Sequence, residues 1–438
     1  MTEPRKVLVL GASGLIGRFL TEDLRQRGFG VVALARKFAA SQVSNALDLE
    51  MPPLAMDSAA LARLIGEHTI DIVINCLGVL QDGPGSDTRA VHRDFVERLL
   101  QAIKMSGRAI RLIQLSIPGA AADDHTAFSM TKREAEGMIA AAGVSYAILR
   151  PGFVIAPAAF GGSAMVRGLA ALPVRLSPAD AARPFQPVMI EDLAATVAWL
   201  ASHDIADDSA VIWDVMVSEP MTLGGVIDLF RASLGARGHP RVALPGFLLD
   251  LGVKLADLAG FLGWKSPMRS TAIAELRRGV TGDPSAWIAA TKIVPADPSQ
   301  AIGVRAATIQ DKWFARLYLA KALVIASLVA FWTASGFIAL FISYDAAAGI
   351  LRSHDFPQAL VAPVTILTSL MDMGIGVLIA FRRTCAFGLV WGIAASLGYM
   401  FGAAILTPDL WIEPLGALVK TGPAIVLMLV ALLILDNR

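Results

Sequence analysis

The sequence predicts a chain in two parts. An α/β doubly wound parallel sheet with a small substrate lobe comes first, and an all-α bundle of four transmembrane helices follows. Three observations predict this. Short runs rich in Val, Ile and Leu alternate with helical stretches over about the first 155 residues. The glycine-rich turn Gly11-Ala12-Ser13-Gly14-Leu15-Ile16-Gly17 follows the first apolar run and opens the first helix. Long apolar stretches collect after about residue 315.

Strands are expected at 6–10, 31–35, 70–76, 111–116 and 145–150. Each reads as a nearly continuous apolar run, as parallel strands buried on both faces do. Helices are expected at 15–27, 59–68, 88–105 and 129–142. The βαβα order implies an open parallel sheet with helices on both faces. From about 151 to 300 Pro and Gly are scattered, and helices are expected at 191–202, 222–234 and 246–262. This stretch reads as a lobe that closes the ligand crevice at the carboxyl ends of the strands. Residues 246–264 are unusually apolar, which suits either a core helix or a helix resting on a membrane surface.

Four apolar stretches, 317–342, 359–381, 386–406 and 415–435, approach or exceed the roughly 20 residues that cross a hydrocarbon core. The domain plan is therefore 1–300 for the sheet and its lobe, 301–312 for a linker and 313–438 for the bundle. Only 17% of residues are charged and 55% are hydrophobic, against about 25% charged in soluble proteins. Basic residues orient the bundle. Lys312, Arg316, Lys321, Arg382 and Arg383 flank one side. The loop after the first span is mixed (Asp345, Arg352, His354, Asp355), and the loop before the fourth carries Asp409 and Glu413 without a base. Both termini and the sheet domain are thus expected in the cytoplasm, with the bundle in the inner membrane.

A net charge of +1 gives no reason for a nucleic-acid partner. Two cysteines, Cys76 and Cys385, build no disulfide framework. The opening MTEPRKVLVLGASG does not read as a secretory signal, because its apolar run leads straight into the glycine turn.

The turn has the spacing of a dinucleotide cradle. Gly11 allows the tight turn, Gly14 lets the backbone approach a pyrophosphate, and Gly17 lets the helix pack closely on the sheet. Ser13, Leu15 and Ile16 complete the loop at the helix tip, where exposed N–H groups and the macrodipole favour an anion. At the end of the second strand an acidic residue would bond the 2′-hydroxyl of NAD. Arg36 and Lys37 stand there instead. Two cations suit a 2′-phosphate, so NADPH is expected to bind in preference to NADH. Arg18 could join them.

With these residues in hand, the first 300 or so positions resemble the extended or atypical short-chain dehydrogenase/reductase superfamily, on the branch that includes the complex I accessory subunit. The matching pieces are Gly11–Gly17, Asn75-Cys76-Leu77-Gly78, Leu115-Ser116, Arg150-Pro151-Gly152, VMIEDLA (188–194) and WDVMVSEPMTL (213–223). The C-terminal stretches resemble the DoxX-like four-helix membrane family. The resemblance implies that Ser116 is the active-site serine, that Asp48 and Leu49 lie near the adenine, and that Leu77 and Gly78 pass beside the cofactor. The family's Tyr-x-x-x-Lys corresponds to Phe128-Ser129-Met130-Thr131-Lys132. Lys132 would bond the nicotinamide ribose, but Phe128 has no proton to give. General acid–base help is worth about 10²–10⁴-fold. Lys132, His125, Asp123 or Asp124 could supply that proton.

Asp372 falls mid-span, where a charge costs about 2.5–3.5 kcal/mol on insertion scales; Lys420 is the expected partner. Gly388-x-x-x-Gly392 and Gly398-x-x-x-Gly402 allow close helix approach. The spans carry no histidine pair or cysteine cluster that would suggest a metal. Two functions stay open. One is a membrane-anchored NADPH-dependent reductase of a lipophilic, quinone- or lipid-like substrate. The other is a non-catalytic NADPH-binding sensor, scaffold or assembly factor with partner proteins in a membrane complex. A cofactor-gated transporter is a weaker third.

Overall fold

Alternate residues of Lys6–Leu10 (β1) face opposite sides of a central sheet. Val7 and Val9 enter one core with Leu20, Leu24, Leu193 and Trp287, while Leu8 and Leu10 enter a second with Leu61, Phe95, Leu99 and Ile139. A strand buried on both faces has no polar side, which is why it reads as an unbroken apolar run. The computed structural model describes residues 5–39, 45–83, 85–203, 210–236, 242–243, 245–266, 268–304, 307–412 and 416–435. Glu413 and Leu415, used in the sequence reading, lie outside these.

The chain divides into two units, Met1–Asp257 with Pro267–Lys312, and Leu258–Ser266 with Trp313–Arg438. In the first, β1 is followed by α1 (Leu15–Gln26), β2 (Gly30–Ala35), β3 (Asp48–Glu50), α2 (Ser58–Glu67), β4 (Ile72–Asn75), α3 (Phe95–Met105), β5 (Arg111–Leu115), α4 (Ala127–Ala140) and β6 (Ser145–Pro151). The seven-stranded sheet runs from the strand Val211–Val215 through β6, β5, β4, β1 and β2 to β3, and every pairing is parallel. The strand order reverses between β1 and β4. In such sheets ligands bind at that switch point, outside the carboxyl ends of the strands.

The single helix expected over 88–105 is interrupted by a π turn, Ala90–Asp94, which puts His92 and Val91 inward together. The lobe has its own core, centred on Val166, Phe185, Val226 and Phe230.

Among the described residues three helices are long and apolar enough to cross a membrane: Ile309–Ile342, Gln358–Ala380 and Cys385–Leu406. The fourth expected crossing is a shorter apolar helix, Ala417–Leu433, of 17 residues. A short helix, Tyr344–Ser353, stands where the sequence reading placed only a loop. Gly388 and Gly392 sit at close crossings, where a Cβ would come within 2.8 Å of Ile379 N and 2.7 Å of Met428 Sδ. Gly398 and Gly402 do not, since a Cβ on either would meet nothing within 4 Å. The same four-residue spacing thus packs at one level of the helix and meets nothing two turns further on.

Asp372 also corrects the sequence reading. Its carboxylate accepts bonds from Tyr399 Oη at 2.7 Å and Ser335 Oγ at 3.3 Å, while Lys420 is exposed. Hydroxyls on the two neighbouring helices reach the carboxylate, and Lys420, in the first turn of Ala417–Leu433, is placed where a lysine extends to the interface.

Candidate active site

The loop after β1 is shaped by two steric demands. Gly11 has φ +79°, and a Cβ there would lie 3.1 Å from Leu77 Cδ2 and 3.3 Å from the Cys76 carbonyl carbon. Gly17 lies so close to the Gly11 carbonyl oxygen that a Cβ would run into it. Gly14 is the N-cap of α1, in an extended conformation, and brings no side chain of its own to cap the helix. Ser13, Leu15 and Ile16 are half-buried around that tip. A helix end without an N-cap side chain, beside a close-approach glycine, fits a pyrophosphate.

Arg36 and Lys37 follow β2, and both are exposed. Neither makes an ion pair among the described residues. Glu50, at the end of β3, accepts the Phe38 N–H at 2.8 Å and so ties down the turn that carries the two cations. Arg18 pairs with Glu22 on its own helix at 2.9 Å and is drawn away from them. Asp48 is held by Arg25 at 2.5 Å and by the Asn45 N–H at 2.9 Å. Its carboxylate therefore fastens α1 to β3. Leu49 packs half-buried on the second core.

On the other side of the switch point, Leu77 N–H donates to Asn75 Oδ1 at 3.1 Å, and Gly78 is exposed. Lys132, on α4, is buried, and its Nζ donates to Leu115 O at 2.9 Å and to Leu77 O at 3.5 Å. It thereby joins the ends of β4 and β5. Burial pulls its ammonium down to about 8, against the opposing pull of Cys76 and Glu136. Burial also pushes the Cys76 thiol up to about 12, so this cysteine is no nucleophile at neutral pH.

Ser116 follows β5, and its N–H donates to Leu149 O at 2.8 Å. Its buried Oγ stands near the Glu136 carboxylate without a well-formed hydrogen bond. A buried hydroxyl lacking a good partner is uncommon and is a natural place for a ligand oxygen.

The sequence reading missed His92. It is buried, and its Nε2 accepts the Val79 N–H at 3.1 Å. Its Nδ1 therefore carries the proton, facing Thr131 Oγ1 at 2.9 Å. Burial, then the charge of Lys132, pulls the ring down to about 2. A ring that stays neutral holds the 77–79 loop and α4 in register and shuttles no proton. Phe128 lies edge-on to it, with ring centres 5.5 Å apart. The only signal in the sequence was a lone histidine in an apolar helix, and its inward rotation depends on the π turn.

Three expected proton sources are elsewhere. Asp123 and His125 are exposed. Asp124 is clasped by Arg133 at 2.8 Å and Arg278 at 3.0 Å. These pairs belong to a buried network beside Ser116. Arg133 and Arg150 share Glu136 at 3.1 and 2.5 Å, and Arg278 also pairs with Glu275 at 3.1 Å. Burial alone would raise the Glu136 carboxyl, yet its bonds to Arg150 hold it below its ordinary value. Three guanidinium groups thus meet three carboxylates, so each arginine already has an anionic partner.

Residues 7–214 match the NAD dependent epimerase/dehydratase family, and residues 329–429 match the DoxX-like family. A curated relative is dTDP-6-deoxy-L-talose 4-dehydrogenase (NAD(P)(+)) of Kitasatospora kifunensis, 32% identical over 117 residues. That match covers 26% of this chain and 36% of the relative, so the chain spans about a third of its length. Among solved structures, UDP-glucose 4-epimerase of Thermotoga maritima with UDP-glucose aligns with TM-score 0.51 and 15% identity, over 68% of this chain and 96% of that one. The Bordetella bronchiseptica enzyme WbmH with NAD+ aligns with TM-score 0.52 and 15% identity, over 70% and 97%. At that identity the structures establish the fold.

Gly17→Val tests the cradle. Overpacking at such a contact costs about 1–3 kcal/mol. We expect a lower melting temperature and loss of nicotinamide coenzyme binding by titration; wild-type values for both would show that the loop is not packed this way.

Proposed function

We propose that this chain, whose residues 7–214 match the NAD dependent epimerase/dehydratase family and whose residues 329–429 match the DoxX-like family, is a membrane-bound, NADPH-dependent reductase of an uncharged, lipophilic carbonyl compound. The observation that carries the substrate class is the charge balance beside Ser116. The epimerase similar in fold was solved with UDP-glucose. A diphosphate is recognised by cations with bonds to spare. Here Arg133, Arg150 and Arg278 are all committed to carboxylates. Such a wall suits a neutral substrate, and the membrane domain points to one that partitions into lipid.

Gly11, Ser13, Gly14, Leu15, Ile16 and Gly17 would hold the pyrophosphate, and Leu77, Gly78 and Lys132 the nicotinamide half. Arg36 and Lys37 would hold a 2′-phosphate. When bound, the coenzyme supplies a hydride. Ser116 Oγ donates a hydrogen bond to the substrate oxygen. Lys132, whose ammonium has three N–H bonds and two carbonyl partners, gives the proton that Phe128 cannot. The amine left behind regains a proton from water.

Four crossings with both termini in the cytoplasm agree with the bonds inside the membrane unit. Lys321 Nζ and an Arg382 guanidinium N–H both donate to Leu435 O, at 2.9 and 3.1 Å. His354 pairs with Asp409 at 2.6 Å. The first set gathers the chain end with the basic loop, and the second joins the two other loops. Basic residues favour the cytoplasmic side.

Three measurements test these assignments. NADPH should bind more tightly than NADH. Arg36→Ala and Lys37→Ala should each weaken NADPH about 10-fold, roughly the worth of one charge-assisted bond, and leave NADH unchanged; equal affinities in the parent protein reject the preference. Membrane-extracted lipophilic aldehydes and quinones should oxidise NADPH at a rate that falls as pH rises through about 8, because the deprotonated amine has no proton to donate. Lys132→Met should remove that limb. Tight binding without oxidation across the panel would favour the scaffold reading that Phe128 supports. In sealed cells an impermeant thiol reagent should label Asp355→Cys and spare Arg383→Cys; the opposite pattern inverts the topology.

A further inference from the structure

We propose that the helix Gly246–Phe261 lies in the plane of a bilayer surface, with its large apolar side chains among the lipid acyl chains. Its polarity is the reverse of a soluble helix. Phe247, Leu248, Leu251, Leu255, Leu258 and Phe261 are exposed, between 43% and 78%. At 3.6 residues per turn these six fall within an arc of about 140°. Among the described residues of the helix, the buried ones are small, Ala256 and Gly260. A helix packed for solubility places its large residues inward and its polar ones outward. This one hides its small residues and presents its large ones, which is sensible only if the outside is apolar.

One edge of the stripe is acidic: Asp250 is exposed there, and Asp257 turns away to Arg269 at 3.4 Å and the Ser270 N–H at 3.1 Å. Lys254, also exposed, falls within the arc, where its stem lies along the apolar face and its ammonium reaches out to the headgroups. A wide apolar face with a charged edge is the pattern of interfacial helices. The occupant is a bilayer because the same segment continues into the membrane unit, which includes Leu258–Ser266. Trp264 Nε1 donates to Ala380 O at 2.7 Å, at the end of an apolar helix long enough to cross a membrane. The Arg382 guanidinium lies over the Trp264 ring, 5.7 Å from its centre, and Arg382 N–H donates to Leu262 O at 3.0 Å. Tryptophan at a span end marks the headgroup level. Lys254 and Lys265, both exposed, offer charge to anionic headgroups. The helix therefore emerges from headgroup depth with its apolar face unpartnered.

The test uses the full chain reconstituted in phosphatidylcholine/phosphatidylglycerol nanodiscs. Nitroxide labels are placed one at a time through Leu251→Cys, Leu255→Cys and Asp250→Cys, with the unsubstituted protein giving the background of Cys76 and Cys385. Collision with oxygen, which concentrates in lipid, is compared with collision with a water-soluble nickel chelate. We expect the oxygen-to-nickel ratio at 251 and 255 to exceed that at 250 several-fold. Ratios equal to that at 250 would place the stripe in water and overturn the proposal. Low collision with both reagents would mean that protein, a second copy or another partner, covers the face, and would overturn it equally. Because no readout involves coenzyme or substrate, the result stands apart from the reductase assignment.

Discussion

The first unit depends on one steric constraint, the approach of Gly17 to the carbonyl of Gly11. Only at that distance can α1 start directly over the end of β1, with its first N–H groups facing the switch point of the sheet. Everything proposed for the coenzyme follows from this placement. Gly11 must take a left-handed conformation to make room, and the β4 loop at Leu77 packs against the space that a Cβ would fill. The loop holds its shape through backbone contacts and so tolerates little variation in volume.

Around that cradle the polar groups sort by what they already hold. Asp48 and Arg18 are spent on ion pairs within the domain. Arg36 and Lys37 are exposed and make no ion pair among the described residues. The same logic separates the wall beside Ser116 from a diphosphate site. Arginine is the side chain best suited to phosphate, yet a buried guanidinium that already shares carboxylates cannot gain another anion without breaking a paired charge, which is costly in a low dielectric. The paired network holds the wall together. His92 serves in a similar way, as a neutral clamp between a loop and a helix.

In the membrane unit, hydroxyl groups do what a counter-charge was expected to do. Tyr399 and Ser335 satisfy Asp372 from adjacent helices. The alternative, dragging Lys420 inward, would bury a second charge in a medium that solvates neither. The glycines show how local spacing underdetermines packing: Gly388 and Gly392 meet neighbours, and Gly398 and Gly402 meet none.

The strands Asp48–Glu50 and Val211–Val215 were not legible in the sequence, which by itself determined the parallel sheet and five of its seven strands, the glycine turn that opens the first helix, and the apolar helices. Those features rest on periodicity, chain-local sterics and the length of apolar runs, all of which are written in neighbouring residues. The tertiary structure alone decided that Asp48 belongs to Arg25, that Asp124 is enclosed by two arginines, that His92 turns inward through a π turn, and that Asp372 is held by hydroxyls. Each joins groups far apart in the chain, and short-range electrostatics rewards only the partner that packing brings within about 3 Å. Side-chain type announces a capacity to pair, and the fold selects the pair.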